Sequence, residues 1–95
     1  MNASIISVTE NGRILSRKIC DALSEKHCIK RYCFHKSCDE AAVSFSDINS
    51  ITADVFDKSE AIIFICACGI AVRSIAPFIQ SKTTDPAVLV IDDKG

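Results

Sequence analysis

The sequence has no surplus of charge of either sign, since 11 lysines and arginines face 12 aspartates and glutamates for a formal net charge of -1. Without a basic stripe there is nothing to release counterions from a phosphate backbone, so nucleic acid is not expected as a partner. Long apolar runs are missing too. The longest uncharged one, residues 61–72, is broken by Gly69 and is well short of the roughly 20 residues that a spanning helix needs, so no membrane partner is expected. Met1 is not followed by the charged and apolar regions of a secretory signal, which makes a cytoplasmic location the expectation. There is no P-loop and no G-x-G-x-x-G fingerprint, and nucleotide binding loses its usual signals. No internal repeat or low-complexity tract is present.

What is present is a chain of 95 residues with 48% apolar side chains, enough for one small globular domain over residues 1–95 and too little for two. Six cysteines stand out. A three-disulfide framework belongs to secreted miniproteins that cannot build a core, and this chain has the Ile, Val, Leu, Ala and Phe to build one. A zinc site is suggested by His27, Cys28, Cys33, His35 and Cys38, with Cys66 and Cys68 further on. The spacing argues against it. Cys28 and Cys33 are five apart and would point to opposite faces of a strand, and no C-x-x-C pair exists. The expectation is six thiols, no disulfide and no metal.

Residues 3–8 are β-branched without helical period and read as a first strand, followed by a helix over residues 12–26 with Leu15, Ile19, Ala22 and Leu23 on one face. Thr9 or Asn11 can cap that helix. Residues 28–34 return as a strand, residues 35–41 form a loop, and residues 42–45 give a brief edge strand. Asp47 then opens a helix with Ile48, Ile51, Val55 and Phe56 on one side. Residues 61–67 are continuously apolar, as a central parallel strand covered on both faces should be. A helix over residues 70–80 must kink or restart at Pro77, and residues 87–91 supply the last main strand. Alternating strands and helices predict an α/β fold of three layers, α/β/α, with a mainly parallel sheet whose main strands run in the order 2-1-3-4. Ile5, Ile63, Ile65, Val88 and Val90 are expected in the core.

In such a sheet, ligands bind beyond the carboxyl ends of the strands where strand order reverses, here between the first and third main strands. Residues 9–12 and 66–69 therefore matter most. Each loop feeds a helix N-terminus, whose free N–H groups favour an anion, and Gly12 and Gly69 let a ligand approach or merely serve tight turns. Arg73, one turn into an otherwise apolar helix, either holds a carboxylate in a bidentate pair or is solvated or paired with Asp85 or Asp92. Lys82 and Asp85 carry the same ambiguity.

Residues 69–77, Gly-Ile-Ala-Val-Arg-Ser-Ile-Ala-Pro, together with residues 82–88 and the closing Asp92-Asp93-Lys94-Gly95, resemble the amino-terminal domain of the CbiG family of cobalamin biosynthesis proteins, the cobalt-precorrin 5A hydrolases. The likeness is specific over the last third of the chain and rests on element order and residues 9–12 before that. It implies opening of the δ-lactone of cobalt-precorrin 5A, a tetrapyrrole with many carboxylates, and release of a two-carbon fragment as acetaldehyde. It makes Asp85 and Lys82 candidate catalytic residues, with Glu10 a weaker base, and Thr9, Gly12, Gly69 and Arg73 candidate substrate-binding residues. No cofactor is implied, because cobalt enters only as part of the substrate. Family proteins continue with another strand, a glycine-rich loop bearing Ser-Gly-His and a further domain. The resemblance therefore implies a partner in the rest of a longer protein, and leaves room for a homo-oligomer. A non-catalytic module that only holds tetrapyrrole carboxylates is the alternative.

Overall fold

The computed structural model describes residues 2–34, 43–56, 58–78 and 86–92. Strand β1 (Asn2–Ser7) leads into helix α1 (Glu10–Leu23), then come β2 (Cys28–Phe34), β3 (Val43–Phe45), α2 (Ile48–Phe56), β4 (Ala61–Ile65), α3 (Cys68–Ile75) and β5 (Ala87–Ile91). All five strands are parallel and lie in the order β3-β2-β1-β4-β5. The four main strands keep the expected neighbours, and the difference is that the brief strand β3 extends the sheet beyond β2.

Alternation along the strands divides the core in two. Ile5, Ile63 and Ile65 face α1 and meet Leu15 and Ile19, while Ile6, Ile62 and Phe64 face the other way and meet Ile51, Val55 and Phe56 of α2 and Ala71 of α3. Strand β4 is buried on both faces, which is why its sequence shows no alternation.

The helices start and stop where their chemistry dictates. Thr9 caps α1 by accepting a hydrogen bond from the Gly12 N–H at 3.0 Å, so the helix opens two residues earlier than Gly12. It ends at Leu23, and Ala22 and Leu23 are exposed beyond the sheet and do not continue the buried face. Asp47 caps α2, its Oδ1 accepting from the Asn49 N–H and its Oδ2 from the Ser50 hydroxyl. Helix α3 gives way to a 3₁₀ turn at Ala76–Phe78, because Pro77 has no N–H to continue the ladder.

Three expectations fail. Val88 is 36% exposed and Val90 only partly buried, since β5 is an edge strand that no described helix fully covers. Cys33 is disulfide-bonded, whereas Cys20, Cys28, Cys66 and Cys68 form no disulfide. The cysteine reading weighed a whole framework against none and so passed over a crosslink at the buried end of β2. Finally, the predicted strand over residues 61–67 stops at Ile65, although the Cys66 N–H still donates to the Ile91 carbonyl at 3.0 Å.

Candidate functional site

At the carboxyl edge of the sheet, the ends of β1 and β4 are neighbours, as the strand order requires. Gly12 sits there against β4. A Cβ at this position would lie 3.1 Å from Thr9 Oγ1, 3.2 Å from the Ile65 carbonyl oxygen and 3.3 Å from Ile65 Cγ2, so the missing side chain lets α1 pack closely on the strand. Gly69 is different: a Cβ there would meet nothing nearer than Arg73 Nη2 at 3.8 Å. Gly12→Ala is expected to lower thermal stability, as the contacts outweigh the roughly 0.5–1 kcal/mol that alanine gains over glycine in a helix, whereas Gly69→Ala should keep that gain. Thermal melting of the two variants checks this contrast.

Helix α3 begins without a side-chain cap, because its N-cap residue is Ala67. The N–H groups of Cys68 and Gly69 are thus left at the positive end of the helix. Arg73 reaches back over the same turn, its Nε donating to the Gly69 carbonyl at 3.2 Å. It is exposed, and among the described residues it has no carboxylate within ion-pair distance, so the pair with Asp92 does not form. Lys82 and Asp85 lie outside the described residues.

Beside the start of α3, on the face covered by α2, the edge opens into a cavity of about 310 Å³ lined by Val8, Phe34, Phe45, Ser46, Asp47, Ile48 and Ile70. It is mostly apolar. Phe34 and Phe45 are register partners at the ends of β2 and β3 and meet edge to face, with ring centroids 6.1 Å apart. These lining residues escaped the sequence reading, which looked for the ligand between β1 and β4. The signal was faint: two phenylalanines each closing a strand just before a polar stretch.

On the opposite face, Arg31 of β2 is buried beneath α1, donating to Ser16 Oγ through Nε and Nη2 and to the Arg13 carbonyl. This guanidinium anchors α1 to the sheet. Nearby at the end of β1, Ser7 Oγ is buried with no hydrogen-bond partner among the described residues. No group of three metal-ligating side chains occurs among the described residues, and no described helix is long and apolar enough to cross a membrane.

Comparison with known proteins bears on the family and the fold. Residues 50–95 match the family described as Cobalamin synthesis G N-terminal. Over 97% of its length the chain is similar to two proteins named cobalt-precorrin-5A hydrolase, at 29% identity in Priestia megaterium and 33% in Salmonella typhimurium. The fold matches the crystal structure of a cobalamin biosynthesis protein G homolog from Sulfolobus solfataricus, with a TM-score of 0.74 and 26% identity over 98% of this chain. The chain spans about a quarter of each of these proteins, 25% of the two hydrolases and 26% of the crystallised homolog. The resemblance to the CbiG amino-terminal domain read from the sequence is borne out, and it extends beyond the last third of the chain.

Proposed function

We propose that this chain is the amino-terminal part of a cobalt-precorrin 5A hydrolase and contributes its carboxyl sheet edge to binding the corrin substrate. The observation that carries the reading is similarity over nearly the whole chain to two proteins of that name. The edge offers suitable chemistry. The cavity takes an apolar flank of the macrocycle, while Arg73 and the uncapped N–H groups of Cys68 and Gly69 receive a substrate carboxylate or a developing oxyanion. Thr9 and Gly12 act by fixing the start of α1 beside this edge.

In the hydrolytic step, water attacks the lactone carbonyl and the ring C–O bond breaks, leaving a carboxylate and an alkoxide. Retro-aldol collapse of the alkoxide then forms the carbonyl of acetaldehyde as its C–C bond to the macrocycle breaks and the electron pair passes to the macrocycle. On the family resemblance, Asp85 is the candidate base that takes the proton from water and Lys82 the candidate residue that stabilises charge, both in the segment that precedes β5. A second reading, in which the domain only binds tetrapyrrole carboxylates, is favoured by the state of the described acids. Both Asp47 oxygens cap α2, and Glu10 is a largely exposed side chain 3.9 Å from Arg13.

Acetaldehyde release from cobalt-precorrin 5A separates the readings. The complete protein is expected to turn over, and the 95-residue chain alone to bind weakly and in a salt-sensitive way without turning over. Equal turnover by the two would mean that these residues suffice for catalysis.

A further inference from the structure

At the opposite, amino edge of the sheet lies a second cavity, of about 200 Å³, between the starts of β1 and β2 and the turn that follows α2. Its lining includes Asn2, Ser4, Lys30, Tyr32, Lys58 and Ser59. We propose that it binds a phosphate group, free or as a small phosphomonoester, independently of the carboxyl edge.

Charge is the first argument. Two lysines, Lys30 and Lys58, are among the residues that line one small cavity, and among the described residues neither has a carboxylate within ion-pair distance. Lys30 Nζ lies 5.7 Å from the centre of the Tyr32 ring, a cation–π contact that holds the ammonium over β2. A phosphomonoester carries about -1.5 to -2 at neutral pH and balances two lysines, which one carboxylate does not. Lysine suits phosphate as a mobile point charge.

The neutral donors are also in place. Ser4 and Ser59 hydroxyls lie 2.6 Å apart, and as only one donates to the other, one hydroxyl proton remains to be given. Ser4 is buried and fixed on β1. Asn2 Nδ2 donates to the Lys58 carbonyl at 2.7 Å, which pins the turn against the sheet and leaves a second amide proton. At the end of α2 the Val55 carbonyl accepts from the N–H groups of Lys58 and Ser59, which weakens its repulsion of an anion.

Size selects the ligand class. Sites for drug-sized molecules measure roughly 300–1,000 Å³, so about 200 Å³ accommodates a phosphate and a short substituent rather than a macrocycle.

The test is equilibrium dialysis of the complete protein against radiolabelled inorganic phosphate at constant ionic strength, with acetate as competitor. One saturable site per chain is expected, weakened about tenfold or more by Lys30→Gln with Lys58→Gln, and about threefold by Ser59→Ala. Both lysines are exposed, so circular dichroism of the variants should match that of the parent. Arg73→Ala is expected to leave phosphate affinity unchanged. Non-saturable uptake, displacement by equimolar acetate, or loss of the site in Arg73→Ala with retention in the lysine variant would each overturn the proposal.

Discussion

Asp85→Asn in the complete protein is expected to lower acetaldehyde release by about 10²- to 10⁴-fold while leaving corrin binding nearly unchanged. Asparagine keeps the size and polarity of the side chain but cannot accept the proton of an attacking water. Asp85 is the one carboxylate of residues 82–88, the segment before and into β5 that carries part of the family resemblance. Among the described acids, Asp47 gives its oxygens to donors at the start of α2, and Glu10 projects into solvent beside Arg13. Arg73→Ala should give the complementary result, a Kd raised about five- to tenfold, because an exposed guanidinium contributes only about 1 kcal/mol to a carboxylate pair. Stopped assays for acetaldehyde and absorbance titration of the corrin read the two quantities separately. Unchanged turnover in Asp85→Asn would move the base elsewhere, and an unchanged Kd in Arg73→Ala would remove the guanidinium from the site.

How much of this was legible in the sequence depended on how local each determinant is. The unbroken run Ile62-Ile63-Phe64-Ile65 identified a strand buried on both faces, and Leu15 and Ile19 identified the inner face of α1, because both patterns are periodic within one element. Strand order followed from crossover rules once the elements were known. Coverage did not follow. Val88 has the same residue type and strand setting as a core valine, and its exposure depends on α3 and the 3₁₀ turn ending before they roof β5. Likewise, the cavity at Phe34 and Phe45 exists because β3 pairs beyond β2, a long-range choice of neighbour that no local pattern encodes. Gly12 could be named from position but not interpreted. Its contact with Ile65 spans more than fifty residues of chain, and only tertiary distances show that it is a packing glycine while Gly69 lies open.

The same contrast between β4 and β5 fixes the largest expected effect on stability. Phe64 is fully buried in the central strand, where it packs with Phe56 and Val55 of α2. Phe64→Ala removes that buried ring and leaves a cavity that rigid neighbours cannot fill, at a cost of about 3–5 kcal/mol. Small domains are stable by only about 5–15 kcal/mol in total, so this one change takes up a large share of the margin. Leu89 provides the control. It lies one strand away in the same sheet but is 56% exposed, and Leu89→Ala should cost under about 1 kcal/mol. Leu89→Lys goes further, since a charge on an exposed apolar edge strand discourages pairing with another sheet edge and should reduce concentration-dependent association of the isolated chain. Urea denaturation followed by circular dichroism, with light scattering across a concentration series, reads both effects. Equal destabilisation by Phe64→Ala and Leu89→Ala would mean that β5 is as deeply covered as β4, contrary to the exposure of Val88 and Leu89.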